Sequence, residues 1–209
     1  MPVKYVFWDS DNTLIDTFTH HWNKHLHTLK SHGITLDEQW KNRIYTNNGA
    51  QNWEWLRAEL GLKVPKQEYL DQIDSWYFTN AESIHIRSGV MDALKLFDDA
   101  GVPMCVVSNG RTRSVMAALK AKDLVKRFKF VLCVEDYEGR KPDPAPYLAG
   151  MTRMRLMLNK PVYEEDCLAI EDDPKGVEAA RAAGMSVIHR NIGDDDPVPF
   201  LRIIKSYLE

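Results

Sequence analysis

Cysteines, long hydrophobic runs and secretion signals are scarce or missing in this sequence. Its 209 residues include only three cysteines, each inside a short apolar stretch: Cys105, Cys133 and Cys167. Their odd number argues against a disulfide framework and favours reduced thiols in a cytosol. No apolar stretch approaches the ~18–20 residues that a membrane span needs, and the N-terminus lacks the basic start and apolar segment of a signal peptide. We therefore expect a cytoplasmic protein with no membrane partner.

An excess of positive charge is also missing. The chain has 27 Lys and Arg residues against 30 Asp and Glu residues, a formal net charge of −3, and its cations are scattered. Proteins that bind nucleic acids usually present a basic face or stripe, so we expect no nucleic-acid partner. Hydrophobic residues make up 44% and charged residues 27%, which is ordinary for a folded, water-soluble chain.

Short apolar runs alternate with helical patterns through most of the chain. The runs lie at residues 4–8, 103–108, 129–134, 167–170 and 185–190. Continuous apolarity, in place of alternation with polar residues, is typical of strands buried on both faces of a parallel sheet. Between the runs, apolar residues recur at intervals of three and four, which predicts covering helices. The order predicts a doubly wound α/β fold.

A long segment after the first apolar run interrupts this alternation. Residues 17–84 carry four helical patterns that end in Gly or Asn, as helices often do. We expect this segment to be a helical insert that forms a smaller domain, while residues 1–16 and 85–209 form the α/β core domain. The insert holds all the tryptophans except Trp8, and we expect these rings to form its own small core.

Polar and charged residues follow the predicted strands at the ends where open α/β sheets bind ligands. In chain order they are Asp9, Ser10 and Asp11, then Ser108 and Asn109, then Lys141, then Glu171, Asp172 and Asp173. We expect all of them to meet at one edge of the sheet. Because side chains alternate along an extended segment, Asp9 and Asp11 can point into one crevice. Taken alone, however, the stretch "DSDNT" is also typical of a polar turn.

The acidic residues at that edge indicate a metal. Crowded carboxylates repel one another unless a cation lies among them, and Mg²⁺ prefers oxygen ligands. A carboxylate that attacks a phosphate also needs the phosphate charge neutralised, which Lys141 and the inferred Mg²⁺ could do. Ser108 and Asn109 precede a predicted helix, where exposed N–H groups favour a phosphate. The alternative for Ser108 is a simple helix cap.

Four motifs, "DSDNT", "VVSNG", "RKPDP" and "IEDDPKGVEAARAAGM", occur in this order with the helical insert after the first. Together they resemble the haloacid dehalogenase superfamily, specifically its β-phosphoglucomutase-like and 6-phosphogluconate phosphatase-like members. The resemblance covers the α/β core and the placement of the insert. Each motif is weak alone, and their order at successive strand ends makes the pattern specific.

The resemblance implies a Mg²⁺-dependent phosphatase, a monomer or homodimer that hydrolyses a small phosphorylated metabolite such as a sugar phosphate or sugar-acid phosphate. Asp9 would form an aspartyl-phosphate, while Asp11 would protonate the leaving oxygen and later activate water. The residues implied for phosphoryl binding are Ser108, Asn109 and Lys141. The implied Mg²⁺ ligands are Asp9, the Asp11 carbonyl, Asp172 and Glu171. The insert would be a cap that closes over the substrate.

Positions in the insert and in the motifs qualify this picture. On the cap side, the resemblance implies that His21, Asn48 and Gly49 lie near the substrate. Asn52 stands near the place where the mutase carries a phosphate-binding arginine, which favours hydrolysis over mutase chemistry. In the core motifs, Asn12 replaces the usual Gly and should keep a left-handed turn, and Asp173 replaces the usual Ser and should cap a helix.

Other functions of the same fold stay open. A phosphosugar mutase and a 2-haloacid dehalogenase share the architecture, although the dehalogenases lack an acid at the position of Asp11. A non-catalytic binding module would keep the fold without turnover. A receiver-like signalling domain also combines acidic residues, Mg²⁺ and a lysine, but its acceptor Asp comes from a middle strand and no helical insert follows its first strand.

Overall fold

The computed structural model describes residues 2–209. The chain divides into two compact units, Met1–Asp16 with His85–Glu209 and Thr17–Ile84. In chain order the elements are β1 (Tyr5–Trp8), β2 (Ile15–Asp16), α1 (Phe18–Ser31), α2 (Lys41–Thr46), α3 (Gly49–Leu60), α4 (Lys66–Thr79), β3 (His85–Ile86), α5 (Val90–Asp99), β4 (Met104–Val107), α6 (Thr112–Ala121), β5 (Val131–Leu132), α7 (Ala145–Leu158), β6 (Cys167–Glu171), α8 (Pro174–Ala182), β7 (Ser186–His189) and α9 (Pro197–Ser206).

The larger unit is built on a five-stranded parallel sheet with the order β5-β4-β1-β6-β7. Every residue of β1, β4 and β6 is buried, which explains why these strands read as continuous apolar runs. The predicted doubly wound α/β fold and its five strands are therefore confirmed. Because β1 lies between β4 and β6, the carboxyl ends of these three strands open into one crevice, where the connections turn to opposite sides.

Two parts of the larger unit were not predicted from the sequence. One is an antiparallel ribbon in which Ile15 pairs with Ile86, so that β2 and β3 bracket the insert. Two residues per strand are too few for a recognisable pattern. The other is α9, although its start is marked by a proline and by Asp196, whose side chain accepts a hydrogen bond from the Val198 N–H. Its Phe200 packs edge-on to Trp8 with ring centroids 6.3 Å apart.

The smaller unit is the helical insert, confirmed as four α-helices with a hydrophobic cluster of their own. Trp22 and Trp55 belong to that cluster, and Trp40 and Trp53 pack against it, as expected for a small core rich in large rings. Trp76 differs, because its ring lies against a histidine, His20, at a centroid distance of 4.9 Å.

All three cysteines are buried and free, as core thiols are. Within residues 2–209, no helix combines the length and the apolarity needed to cross a membrane.

Candidate active site

A buried lysine joins the ends of three strands in the larger unit. The Lys141 ammonium donates hydrogen bonds to Asp9 Oδ1 at 2.7 Å, to Glu171 Oε1 at 2.6 Å and to the Val107 carbonyl oxygen at 2.7 Å. These partners lie at the ends of β1, β6 and β4. They belong to the motifs "DSDNT", "IEDDPKGVEAARAAGM" and "VVSNG", so the lysine of the motif "RKPDP" contacts all the other three. A lysine ammonium has three donors, and all three are used here. Lys141 is thereby held against Asp9.

Asn109 fixes the backbone of that lysine. Its Oδ1 accepts a hydrogen bond from the Lys141 N–H at 3.1 Å, and its Nδ2 donates to the Lys141 carbonyl oxygen at 3.3 Å. Both ends of the Asn109 amide are thus engaged with Lys141. The structure therefore gives Asn109 a second task, supporting Lys141, beside the phosphate binding expected from the sequence.

Ser108 does not cap the following helix. Its Oγ accepts a hydrogen bond from the Gly110 N–H at 3.0 Å, whereas the N-cap of α6 is Arg111. The Thr112 N–H at the start of α6 donates instead to Glu135 at 2.9 Å, a partner that sequence reasoning missed. Glu135 thus accepts from a terminal N–H of the helix, and Ser108 lines the site at the end of β4.

Three buried carboxyl groups form a cluster around the lysine. Asp9, Glu171 and Asp172 each place one carboxylate oxygen so that these atoms lie within 4.8 Å of one another. Asp172 also accepts a hydrogen bond from the Thr13 hydroxyl at 3.1 Å. Burial, followed by the charge of Asp9, raises the pKa of Glu171 to about 7 and that of Asp172 to about 8. The raised pKa values show that one ammonium does not offset the charge of three ionised carboxyl groups, and these oxygen donors fit a divalent cation.

Two further residues determine the position of the Glu171 carboxylate, and neither was predicted from the sequence: Tyr147 and Gly176. The Tyr147 hydroxyl, buried on α7, donates to Glu171 Oε1. A Cβ at Gly176 would lie 2.1 Å from Glu171 Cδ, so only glycine leaves room for this carboxylate. The available signal for Tyr147 was a tyrosine on a predicted buried helix face, since a buried hydroxyl needs a polar partner.

The turn after β1 carries Asp11 into the same site. Asn12 has a φ of 57°, which confirms the left-handed backbone expected where relatives have Gly. A Cβ at Gly110 would lie 3.2 Å from Asp11 Oδ2 and 3.1 Å from Ser108 Oγ. Asp11 and Ser108 therefore face a common space beside Gly110. Asp173 accepts a hydrogen bond from the Lys175 N–H at 2.9 Å at the start of α8, which confirms its capping role.

A cavity of about 150 Å³ unites the site residues predicted from the core motifs. Those that line it are Asp9, Asp11, Ser108, Asn109, Lys141, Glu171 and Asp172. Although burial opposes the charge, Asp9 and other nearby groups hold the pKa of Lys141 well above its usual range, so the cavity keeps a permanent ammonium. The arrangement places the Asp9 side chain beside a cation in a space that a phosphoryl group could enter.

The residues predicted on the cap side belong to the other unit, where the structure gives two of them local tasks. Asn48 and Gln51 form a capping box at the start of α3. A Cβ at Gly49 would lie 2.9 Å from Leu70 Cδ2, so the glycine permits close packing onto α4. His21 lies on α1, partly exposed. For these residues, contact with the substrate stays a prediction.

Known proteins are similar to this chain over most of its length. A family model for haloacid dehalogenase-like hydrolases matches residues 6–189. The Bacillus subtilis protein "Putative phosphatase YhcW" is 28% identical over 187 residues, or 89% of this chain and 82% of its own length. The Thermotoga maritima protein "Phosphorylated carbohydrates phosphatase" is 24% identical over 185 residues, or 88% of this chain and 83% of its own length.

Solved structures agree with the fold. The crystal structure of a "putative beta-phosphoglucomutase" from Thermotoga maritima has a TM-score of 0.83 at 22% sequence identity, and the match covers 97% of this chain and 99% of that one. The expected enzyme class is confirmed, since the matched family consists of hydrolases and the relatives just described bear phosphatase names. The chain belongs to the haloacid dehalogenase-like hydrolase family.

Proposed function

We propose that this protein is a Mg²⁺-dependent phosphomonoester hydrolase that acts on a small phosphorylated metabolite through an aspartyl-phosphate at Asp9. The observation that carries this proposal is the Lys141 ammonium, fixed 2.7 Å from Asp9 Oδ1 in a cavity that Asp11 also lines. A carboxylate nucleophile, a neutralising cation and a second carboxyl group for proton transfer are the parts that phosphoryl transfer requires.

In the first step, an Asp9 oxygen attacks phosphorus and the bond to the ester oxygen breaks. The proton on the Asp11 carboxyl passes to the leaving oxygen, so the product departs as an alcohol. Lys141 offsets the charge shared by Asp9 and the phosphoryl group, and Ser108 and the main chain of Asn109 bind the phosphoryl oxygens. Nucleophilic attack by Asp9 and proton transfer by Asp11 require the two carboxyl groups to occupy separate positions. The left-handed turn at Asn12, directly after Asp11, supports this separation.

In the second step, water attacks phosphorus and the bond to the Asp9 oxygen breaks. The Asp11 carboxylate takes the proton from water, which restores the acid for the next cycle and releases inorganic phosphate. The net change is ester plus water to alcohol plus phosphate. General acid–base help of this kind contributes ~10²–10⁴ in rate.

The residues that would hold Mg²⁺ are Asp9, the Asp11 carbonyl, Glu171 and Asp172. The bound ion would supply charge neutralisation at the phosphoryl oxygens. Support for this assignment comes from the buried Asp9, Glu171 and Asp172 oxygens within 4.8 Å of one another, which a single lysine does not neutralise.

A sugar phosphate or sugar-acid phosphate is the proposed substrate class. The name of the Thermotoga maritima relative supports phosphorylated carbohydrates as substrates. We propose that the helical insert acts as the cap, with His21, Asn48 and Gly49 on its substrate side. The Asn52 amide supports hydrolysis over mutase chemistry: it donates to the Ile44 carbonyl oxygen at 2.9 Å and accepts from Trp55 Nε1 at 2.8 Å, which leaves it engaged within the insert.

The direct test is a screen of phosphomonoesters with Mg²⁺, run in parallel on wild type and Asp9→Asn. We expect Asp9→Asn to abolish phosphate release, and EDTA to do so until Mg²⁺ is restored. Asp143→Asn is a matched control, since Asp143 caps the Ala145 N–H at 2.7 Å and asparagine can still accept that bond. Turnover that survives in Asp9→Asn, or halide release from a 2-haloacid in place of phosphate release, would contradict the proposal.

A further inference from the structure

A buried arginine outside the cavity holds the turn that follows Asp11. Arg87 is 7% exposed and comes directly after β3. Its Nη1 donates to the Asn12 carbonyl oxygen at 2.6 Å, and its backbone N–H donates to the Leu14 carbonyl oxygen at 3.0 Å. One residue therefore binds this turn at two points.

The turn itself is closed by its own main chain. The Asn12 N–H donates to the Ile15 carbonyl oxygen at 2.7 Å, and the Leu14 N–H donates to the Ser10 carbonyl oxygen at 3.0 Å. Asn12 adopts the left-handed conformation, which costs free energy for a residue with a side chain and persists where its surroundings stabilise it. A charge-assisted hydrogen bond to the Asn12 carbonyl is such a stabilising contact.

The other side of the Arg87 guanidinium binds a second segment of the core. Its Nη2 donates to the carbonyl oxygens of Asn191 at 3.0 Å and Asp194 at 3.3 Å. A neighbouring buried arginine, Arg190, donates to the Asp194 carbonyl oxygen at 3.2 Å and to that of Ser88. Both arginines therefore anchor the segment at 191–194, and the hydrogen bond to Asn12 comes from Arg87.

We propose that Arg87 is a positioning residue for proton transfer: by fixing the Asn12 turn, it aims the preceding Asp11 carboxyl at the leaving oxygen. This inference rests on the proposed function, in which Asp11 is the general acid. The contacts of Lys141 with Asp9 and Glu171 come from the ends of β1 and β6, so they survive the loss of Arg87. The larger defect is therefore expected in proton transfer, whereas any shift of the Asp11 carbonyl among the proposed Mg²⁺ ligands would slow cleavage of every ester alike.

Two aryl phosphates separate proton transfer from nucleophilic attack. The phenolate of 2,4-dinitrophenyl phosphate leaves without a proton, whereas phenyl phosphate gains from an acid. In Arg87→Gln we expect kcat/KM for phenyl phosphate to fall roughly 10²-fold, and that for 2,4-dinitrophenyl phosphate to fall less than about 10-fold, since general acid help is worth ~10²–10⁴. Arg87→Lys keeps the charge and can donate to one carbonyl, so it should recover part of the phenyl phosphate loss.

Two further variants make the outcome specific. Arg190→Gln disturbs the same 191–194 segment and should change both esters equally. Asp11→Asn tests the underlying function and should lower kcat/KM selectively for phenyl phosphate, because kcat/KM reports formation of the aspartyl-phosphate and not its later hydrolysis. Selective loss in Asp11→Asn with equal losses in Arg87→Gln would overturn the positioning role and leave the proposed function standing.

The remaining outcomes also decide the question. Equal losses in Asp11→Asn would overturn both the acid role of Asp11 and the inference drawn from it. A selective loss in Arg190→Gln as large as that in Arg87→Gln would overturn the inference, because the 191–194 segment would then be responsible. If Arg87→Gln does not fold, equal losses on the two esters in Arg87→Lys would contradict the proposal in the same way.

Discussion

At the residue scale, the site depends on how buried charges are matched. Lys141 is 6% exposed, and a buried ammonium is tolerated in a protein only when it is paired and hydrogen-bonded. Asp9 and Glu171 supply the paired charges, and the Val107 carbonyl takes the remaining donor. Glu171 in turn receives the Tyr147 hydroxyl, so each buried group relies on the next one.

Removal of the Tyr147 hydroxyl should expose this dependence. Tyr147→Phe keeps the buried ring and takes one donor away from the Glu171 carboxylate. We expect the free energy of unfolding to fall by about 1–3 kcal/mol, the usual cost when a buried polar or charged group loses a hydrogen bond. Urea denaturation monitored by fluorescence measures the change.

Tyr163→Phe is the matched control for this substitution. Tyr163 is 53% exposed, so loss of its hydroxyl should change the free energy of unfolding by less than about 0.5 kcal/mol. Equal losses in the two variants would show that the buried contact with Glu171 contributes nothing particular to stability.

At the element scale, the strands and helices agree with local patterns wherever an element is long enough to have one. The α1–α4 helices and the five strands of the sheet follow the predicted periodicities, and α8 begins at the cap and proline that the sequence offers. The exceptions are α9, which was not predicted although it is ten residues long, and β2 and β3, which exist because they pair with each other across the insert. Within the insert, α1 carries a buried histidine, His25, which is only 3% exposed. Its Nδ1 lies 2.6 Å from the hydroxyl of Tyr69 on α4. This environment disfavours the charged form of the imidazole.

Acid should therefore weaken the packing of α1 on α4. Burial, followed by the charge of Lys24, lowers the pKa of His25 well below its usual value of 6.5. The unfolded chain then binds a proton that the folded insert refuses, so stability is complete above pH 6.5 and falls as the pH drops below it. Relative to His25→Gln, wild type should lose about 2 kcal/mol more unfolding free energy between pH 7 and pH 5.

The control for this pH dependence lies on the same helix. His27 is exposed, so His27→Gln should leave the pH dependence of wild type unchanged. Urea denaturation at each pH, followed by the fluorescence of the insert tryptophans, measures all three proteins. A His25→Gln variant with the same acid sensitivity as wild type would show that another group is responsible.

At the scale of the whole molecule, the stability of the fold and the chemistry of its site are linked through charge. Asp9, Glu171 and Asp172 gather three carboxyl groups at one place, whereas Lys141 provides one positive charge. Like charges buried together destabilise the folded state. A cation that binds the folded protein, and not the unfolded chain, should therefore stabilise the entire molecule.

Mg²⁺ should raise the free energy of unfolding measurably. At a free concentration one hundred times the Kd, linkage predicts about 2.7 kcal/mol of added stability. Asp172→Asn keeps an acceptor for the Thr13 hydroxyl and removes a carboxyl group whose ionisation the fold opposes, so the variant should be more stable than wild type without metal and gain little from Mg²⁺. Thermal unfolding with EDTA or with Mg²⁺ measures both effects.

Asp173→Asn serves as the control for the metal effect. It removes a neighbouring charge and keeps a side-chain oxygen that can cap the Lys175 N–H, so it should gain as much stability from Mg²⁺ as wild type does. If Mg²⁺ leaves the melting temperature of wild type unchanged, the assigned metal site is wrong.

The sequence by itself determined the fold class, the five strands, the helical insert and the polar residues placed at the strand ends. These features depend on hydrophobic periodicity and on short motifs, which are visible within a few neighbouring residues. The tertiary structure alone decided which distant groups complete the site. Arg87 reaches Asn12 across 75 residues and Tyr147 reaches Glu171 across 24, and no local pattern records either contact. Such contacts form only when the sheet brings its strand ends together, because a hydrogen bond acts over about 3 Å regardless of how far apart its partners lie along the chain.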